Sequence, residues 1–337
     1  VAGTGHIVYP LLPVIYETAH RSGIRPERPM AVATIASQQA ITASPVAAAT
    51  AAMIGLFAEK GLTQWGLPQI LMVCVPATLT GVIVAAIVSM FLGKDLKDDP
   101  EYQARLASGQ IPAPQDDTSQ APLKSGARLS AFIFLAGVAL VVLFGFFPNL
   151  RQLPGAKSPL AMPIVIEILM MSVAAIMLLV TKVAVDEVPK TATLRAGVVA
   201  VIGIFGLAWL GDSFIAANRD VIVPAIGDWA KVAPWTFAFG LFLASVLLYS
   251  QAATTRALMP LGIALGIPPQ FLIAMFPSVN GYFFIPTYGS LIAAINFDLS
   301  GTTKIGKYVL NHSFMIPGLV ATTVAVATGL LIARVIF

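Results

Sequence analysis

Charge, cysteine and histidine are scarce in this chain. Asp, Glu, Lys and Arg make up 11% of its 337 residues, against roughly 25% in ordinary soluble domains, while 57% of the residues are hydrophobic. The single Cys74 excludes a disulfide framework and a cysteine-based metal cluster. The net charge of +4 is modest and is better explained by basic loops beside a membrane than by nucleic-acid binding. The composition predicts an integral membrane protein.

Long apolar runs dominate the chain. An unbroken run such as 130–147 argues against a β-barrel, whose strands alternate apolar and polar residues over about ten positions. The sequence therefore predicts an all-α polytopic membrane protein. Several runs reach the roughly 20 residues that a helix needs to cross a bilayer, and others are interrupted by Pro, Gly or Ser. The runs are 1–15, 30–57, 67–92, 129–147, 159–180, 196–217, 235–249, 257–276, 282–295 and 308–337.

The segment 250–256 places seven small or polar residues, ending with Arg256, between the apolar arms 235–249 and 257–276. At membrane depth, polar or irregular backbone is tolerated only inside protein or beside a wet cavity. The first arm is short for a full span. The pattern predicts a re-entrant hairpin whose polar tip holds substrate.

Two further breaks lie in the first part of the chain. Residues 1–15 contain three Gly or Thr residues, His6 and two prolines, which together spoil a straight helix. The stretch 34–45 carries Ser-Gln-Gln and Thr-Ala-Ser-Pro. A single polar residue there would be explained by bonds between packed helices. Five polar residues ending at Pro45 favour an unwound segment that lines a site.

The breaks recur in the same order in both halves. In each half a broken stretch precedes a second break in which Ser comes eight positions before Pro, at 37–45 and at 278–286. Paired interrupted segments are typical of the midplane site of a secondary transporter. The N-terminal amides of a broken helix carry partial positive charge and suit an anionic substrate.

The polar segment 93–128 separates the halves and is predicted to be a solvated linker that buries little apolar surface. The domain organisation is therefore 1–92, the linker 93–128, and 129–337. Basic residues predict that the linker is cytoplasmic: five lie in it and three in the loop two spans later, against two in each intervening loop. These are Lys94, Lys97, Arg105, Lys124, Arg128, Lys182, Lys190 and Arg195, against Arg151, Lys157, Arg219 and Lys231.

Several motifs resemble the anaerobic C4-dicarboxylate transporter (Dcu) family, on the side of its A-type branch, over essentially the whole chain. They begin at Gly3 (Gly-Thr-Gly-His), Ile24 (Ile-Arg-Pro-Glu-Arg-Pro-Met), Ala43 (Ala-Ser-Pro-Val), Gly93 (Gly-Lys-Asp-Leu), Ala208 (Ala-Trp-Leu-Gly-Asp), Leu248 (Leu-Tyr-Ser-Gln-Ala-Ala-Thr), Pro286 (Pro-Thr-Tyr), Ser300 (Ser-Gly-Thr-Thr-Lys-Ile-Gly-Lys) and Asn311 (Asn-His-Ser-Phe).

The resemblance implies that fumarate, succinate, malate and aspartate are exchanged or taken up across the bacterial inner membrane. It also implies an ion-transporter-like fold of inverted repeats with re-entrant hairpins and broken transmembrane helices, and helices that precede Val1.

Arg256 is the leading candidate for binding a substrate carboxylate, because a buried guanidinium forms a two-pronged donor that matches it. The alternative is an arginine that extends to the membrane interface. The other candidate donors are hydroxyls and amides, each of which alone is explained equally well by helix packing. The predicted substrate-binding set is Thr4, Ser37, Gln38, Thr42, Ser44, Ser250, Gln251, Thr254, Thr255, Arg256, Asn280 and Thr287.

Glu167 lies inside an apolar run and is a candidate for ion pairing or proton coupling, whereas Asp212, which follows Trp209, suits an interface. His6 and His312 lack acidic or thiol partners at metal-ligand spacing, so neither metal nor cofactor is predicted. Dicarboxylates and the lipid bilayer are the expected partners, and the sequence leaves open whether the protein forms a homo-oligomer. The alternative functions are an anion channel, an ion-coupled carrier for another small anion, and a membrane-embedded enzyme, for which no catalytic constellation is found.

Overall fold

The computed structural model describes residues 5–8, 11–111, 126–155, 159–160, 162–181, 183–190, 213, 217, 233 and 235–337. Within them the chain forms twelve α-helices and no β-strand beyond one isolated bridge between Ile305 and His312, which confirms the all-α prediction for this part of the chain. The helices are α1 (Leu12–Arg21), α2 (Glu27–Thr42), α3 (Ala48–Glu59), α4 (Leu67–Ser89), α5 (Pro100–Ala107), α6 (Ala127–Phe146), α7 (Met162–Thr181), α8 (Thr236–Leu248), α9 (Gln251–Ala264), α10 (Pro269–Met275), α11 (Gly289–Phe297) and α12 (Met315–Ile336).

Short 3₁₀ segments connect several of these helices. The longest covers Phe276–Phe283 between α10 and α11, and Asn280 within it leaves helical geometry at φ −96° and ψ 22°. The others are Gly5–Val8, Leu96–Asp98, Pro148–Arg151 and Val185–Glu187. The predicted break near the start of the chain is confirmed, because the Gly5–Val8 segment is 3₁₀ and α1 begins only at Leu12.

Two of the described helices, α4 and α12, are long and apolar enough to span a membrane. Large apolar side chains on α4 point outward, including Leu79, Ile83 and Ile87, and α12 exposes Leu331 and Val335. Exposed apolar helix faces of this kind are typical of contact with lipid, where no water penalises them.

α4 and α12 form the largest helix–helix interface of the described chain. The Trp65 ring, just before α4, meets the Phe337 ring at the end of α12 with centroids 4.8 Å apart. Further along α4, Gly81 packs against Ala321 so closely that a Cβ there would lie 2.3 Å from the Ala321 carbonyl oxygen. The two helices therefore run antiparallel, and small residues allow their backbones to approach.

Two apolar clusters make up most of the buried core. One joins α3, α4, α8 and α10 through residues such as Phe57, Ile70 and Leu241. The other joins α2, α11 and α12 around Met30 and Phe314. The broken segments contribute to both clusters, Ala47 and Phe276 to the first and Phe283 to the second.

The prediction that 37–45 is unwound is wrong for its first part. Helix α2 continues to Thr42, and only residues 43–47 leave helical structure before α3. Ser37 and Thr42 do not interrupt the helix, because their hydroxyls donate to carbonyls three residues earlier, at 2.7 and 3.0 Å. Pro45 causes the break, since a proline ring clashes with the carbonyl four residues before it and disfavours helix at the preceding residue.

The break at 250–256 is also shorter than predicted. Tyr249 adopts the left-handed conformation at φ 51°, Ser250 is extended, and α9 begins at once at Gln251. Gln251 to Arg256 therefore form the first turns of a helix instead of an irregular tip. The hydroxyls of Thr254 and Thr255 are satisfied within that helix by the Ser250 and Gln251 carbonyls, at 2.8 and 2.7 Å.

The prediction that the linker buries little apolar surface is wrong for residues 93–111. Leu96, Tyr102 and Ile111 are buried and form a small apolar cluster with Leu106. Asp99 caps α5 by accepting from the Glu101 and Tyr102 amides at 3.0 and 3.3 Å. The first half of the linker is thus a folded element.

Candidate functional site

A cleft of about 580 Å³ opens between α3, α7 and α9. Small residues of α3 and of the break before it form one wall, and Met170 and Met171 of α7 contribute to the opposite wall. Three charged side chains line this mainly apolar cleft: Glu59, Glu167 and Arg256. Its size suits a small organic ligand that is held by few polar groups.

Arg256 is exposed to the cleft, so the expectation of a buried guanidinium is wrong. The five residues before it, from Gln251 to Thr255, are all buried. Ala252 and Ala253, one turn earlier on the same face of α9, are buried, whereas the longer Arg256 side chain reaches the cleft beside α3 and α7. The guanidinium is thereby available to form paired hydrogen bonds with a carboxylate.

The N-terminus of α3 lies at the same cleft. Ala47 is its N-cap, with φ −77° and ψ 140°, and its methyl side chain cannot accept from the first-turn amides. The cleft is lined by Val46, Ala47, Ala48 and Ala51, which places this first turn in its wall. First-turn amides have no acceptor within their own helix and carry partial positive charge. Together with Arg256, they give the cleft two features that attract anions.

A buried chain of side-chain amides connects the broken segments. Asn280 donates to Gln39 Oε1 of α2 at 3.2 Å and accepts from Gln251 Nε2 of α9 at 3.0 Å. Gln39 also donates to Thr322 of α12 at 2.7 Å, and Gln251 donates to the Tyr282 hydroxyl. The network joins four elements that are far apart in sequence, and its amides are thereby paired.

Gln38 lies beside a second uncapped helix. Its Nε2 donates to Ser290 Oγ of α11 at 3.1 Å, while its buried Oε1 has no hydrogen-bond partner in the part of the chain that the structure describes. Tyr288 precedes α11 without any described side chain capping that helix. α11 follows the second-half break as α3 follows the first-half break.

Several predicted donors are occupied within their own segments. Ser37, Thr42, Thr254 and Thr255 donate to local carbonyls, which fits the helix-packing alternative. Ser250 caps α9 by accepting from the Ala253 amide at 3.2 Å. Ser44 Oγ accepts from the Val46 amide at 3.4 Å, and the exposed Thr287 hydroxyl donates to the hydroxyl of Tyr249, 38 positions earlier, at 2.9 Å.

Thr4 and Asp212, and the side chain of His6, lie outside the described residues. His312 is buried, with its ring nitrogens near the Phe284 carbonyl oxygen and the Phe314 amide, both at 3.2 Å. The described residues contain no group of His, Cys, Asp and Glu that could hold a metal ion.

The sequence interpretation missed Gln39, Thr322, Tyr282 and Ser290. Gln39 directly follows two selected residues, and its partner Thr322 is 283 positions away. The sequence held one signal for Gln39, the two consecutive glutamines of Ser-Gln-Gln. Consecutive residues on a helix point in different directions, so the two side-chain amides contact different neighbours.

Comparison with known proteins identifies the family. The family model described as anaerobic C4-dicarboxylate membrane transporter matches residues 1–337. The chain is 41% identical to the C4-dicarboxylate transporter DcuA of Escherichia coli K12, over 97% of this chain and 75% of that protein. It is 38% identical to DcuA of Wolinella succinogenes, over 100% of this chain and 76% of that protein. It is 36% identical to the anaerobic C4-dicarboxylate transporter DcuB of Escherichia coli O6:H1, over 98% of this chain and 75% of that protein.

No solved structure matches the chain. The family match and the identities over nearly the whole chain agree with the motifs noted in the sequence. They confirm the prediction that this protein is a multi-pass membrane transporter and not an enzyme. The chain belongs to the family of anaerobic C4-dicarboxylate membrane transporters.

Proposed function

We propose that this protein is a secondary transporter that exchanges C4-dicarboxylates, such as fumarate, succinate, malate and aspartate, across the bacterial inner membrane. One observation carries the proposal: Arg256 and the uncapped first turn of α3 line a single cleft. Membership in a dicarboxylate transporter family supports the same substrate class.

The chemistry of the cleft suits a molecule with two carboxylates. Arg256 binds one carboxylate through two charge-assisted hydrogen bonds, and the first-turn amides of α3 bind the other. The apolar wall around Met170 excludes water and strengthens both interactions. Of the predicted set, Gln38, Gln251 and Asn280 act by holding the broken helices in position.

The arrangement of the halves supports transport by alternating access between the repeats 1–92 and 129–337. Each half has a helix break followed by a helix whose N-cap residue makes no capping bond through its side chain, α3 in one and α11 in the other. The last helices of the halves, α4 and α12, pack antiparallel, as inverted repeats require. α8 has 13 residues, a length of about 20 Å, which is short of a roughly 30 Å hydrocarbon core and suits a re-entrant arm.

Exchange in proteoliposomes tests the proposal. Vesicles that contain the full-length protein are loaded with fumarate, succinate or no dicarboxylate, and uptake of labelled aspartate is measured. We expect rapid uptake only with an internal dicarboxylate. Uptake that is equal in loaded and empty vesicles would replace exchange with an ion-coupled carrier or a channel.

Ion-coupled uptake is the second candidate, because Glu59 and Glu167 line the same cleft as Arg256. A carboxylate inside an apolar span is a common site for a proton or a cation. If Glu167 provides the coupling, Glu167→Gln abolishes uptake driven by an ion gradient but leaves exchange intact. Unchanged gradient-driven uptake in this variant would remove Glu167 from that role.

A further inference from the structure

The folded part of the linker, residues 93–107, lies between two loops that belong to different halves of the molecule. The first, 22–28, comprises the loop between α1 and α2 and the first two residues of α2, and the second, 298–314, joins α11 to α12. We call residues 93–107 the linker clasp. It contains the 3₁₀ segment Leu96–Asp98 and helix α5.

The contact with the first half is an ion pair shielded from solvent. Arg25 Nη1 donates to Asp99 Oδ2 at 2.5 Å, and Arg25 Nε donates to Glu27 Oε2 at 2.6 Å. The side chains of Arg25 and Asp99 are 8% and 15% exposed. Gly93 fits beside them at φ +65°, and a Cβ there would lie 2.6 Å from Arg25 Nε.

A neighbouring arginine extends this contact. Arg28 donates to the Leu92 and Gly93 carbonyls at 2.8 and 3.0 Å and to Asp95 Oδ1 at 2.8 Å. Arg25 and Arg28 are thus both paired with the clasp.

The contact with the second half is more exposed. Lys304 Nζ donates to Glu101 Oε2 at 3.2 Å, with side chains 48% and 64% exposed. Arg105 Nη1 donates to the Ser300 carbonyl at 3.4 Å, and Gly301 leaves room for this guanidinium. The clasp therefore reaches both halves.

The two loops also bond to each other beneath the clasp. Glu27 Oε1 accepts from the Ser313 hydroxyl at 2.6 Å, and the Glu27 amide donates to Thr302 Oγ1 at 3.1 Å. Glu27 thus pairs with Arg25 on one side and with the second half on the other. The three elements form one continuous polar network.

Buried Asp298 fixes the second-half loop in the shape that receives these bonds. Its carboxylate accepts from the Ser300 hydroxyl and amide, from Thr302 Oγ1 at 2.8 Å, and from the Thr303 amide at 2.6 Å. The Ser-Gly-Thr-Thr-Lys motif at 300–304 is therefore a preformed surface for the clasp.

The Asp99 carboxylate stays charged in its ion pair with Arg25. Burial disfavours the Asp99 carboxylate, but the Arg25 hydrogen bond and the Tyr102 and Glu101 amides outweigh burial and lower the pKa of Asp99. Breaking one partner of a shielded pair costs much more than breaking an exposed pair. Arg25–Asp99 is thus the main attachment, and Glu101–Lys304 is the weaker one.

We propose that the linker clasp is a gate that stabilises the conformation closed on the face that carries the linker. This inference rests on the proposed transport by alternating access, in which the halves separate on one face at a time. Opening that face requires the clasp to release one of the two loops. The exposed attachment, Glu101 with Lys304, is the contact that releases first.

A reducible cross-link between the clasp and the second half tests the gate. Glu101→Cys and Lys304→Cys are combined and joined by a bis-thiosulfonate reagent whose spacer matches the two side chains that it replaces. Both positions are exposed, so the substitutions leave the core unchanged. Cys74 is fully buried and can remain. We expect the cross-link to abolish dicarboxylate exchange and reduction to restore it.

The matched control is Glu187→Cys with Lys190→Cys, an exposed ion pair of similar length within one loop. The same reagent should leave its exchange rate unchanged. Undiminished exchange in the cross-linked Glu101/Lys304 variant would overturn the gate. Absence of dicarboxylate exchange in the untreated wild-type protein would instead overturn the proposed function, so the two failures are distinguishable.

Discussion

The breaks before α3 and before α9 look alike in sequence but present different groups. Each follows an apolar helix and contains Ser or Thr, and each restarts a helix within a few residues. At α9, Ser250 caps the first turn with its own hydroxyl. At α3, the N-cap is Ala47, whose side chain cannot accept from the first-turn amides. The break whose N-cap is alanine therefore leaves its first-turn amides to an anion, and the break whose N-cap is serine does not.

The largest effect is expected at the guanidinium that shares the cleft with α3. Arg256→Ala removes charged hydrogen bonds worth about 1.5–3 kcal/mol, so Kd for fumarate rises roughly 10- to 100-fold. Arg256→Lys keeps the charge but loses the paired hydrogen-bond geometry, so its Kd for fumarate should lie between those of the wild type and of Arg256→Ala. Binding to purified protein gives both values. Arg334→Ala, an exposed arginine in the last turn of α12, is the control; an equal loss there would indicate a general charge effect.

Asn280 connects the two breaks, because it bonds Gln39 on one side and Gln251 on the other. Asn280→Ala leaves the Gln39 Oε1 atom buried without a donor, at a cost of about 1–3 kcal/mol of stability. The thermal midpoint should fall and the exchange rate should fall with it. A variant with wild-type stability would show that the amide network does not hold the breaks together.

Ser250→Ala tests the capped break. Loss of the cap should lower the free energy of unfolding by about 1 kcal/mol, because the Ala253 amide loses its acceptor. Kd for dicarboxylate should stay at its wild-type value. Thermal unfolding and binding of the same preparation measure the two quantities, and weaker binding at unchanged stability would place substrate at this break.

Ala47→Ser is the reciprocal change and has the smallest expected effect. The new hydroxyl can accept from the first-turn amides of α3 and so competes with substrate. Binding should weaken by about 0.5–1 kcal/mol, a two- to fivefold increase in Kd, while stability holds or rises. Ala51→Ser, one turn further along α3, is the control for adding a hydroxyl to the cleft wall. Equal effects at the two positions would argue against a role for the helix terminus.

The sequence predicted the helical membrane class and, from local features, the region of each break but not its extent. Apolar runs predicted α4 and α12, and Pro45 and the small polar residues after Tyr249 indicated where helices stop. The sequence could not predict which polar side chains form hydrogen bonds within their own helices. Hydroxyls at Thr42 and Thr254 bond within their helices, so polarity there did not mean an open site.

Long-range pairing was also beyond sequence reasoning. Arg25 and Asp99 are 74 positions apart, and Gln39 and Asn280 are 241 positions apart. Neither pair has a local periodicity that indicates its partner. The same limit explains why the linker seemed solvated: its apolar residues, such as Leu96 and Tyr102, are few and become buried through packing with each other and, for Tyr102, through contact with His20 of α1.

The most direct test locates a bound dicarboxylate in the protein. Crystals grown with bromosuccinate give anomalous density at the bromine atom, which marks the ligand position independently of any variant. We expect this density in the cleft between Arg256 and the first turn of α3. Density beside Ser250, at the capped start of α9, would contradict this position of the substrate.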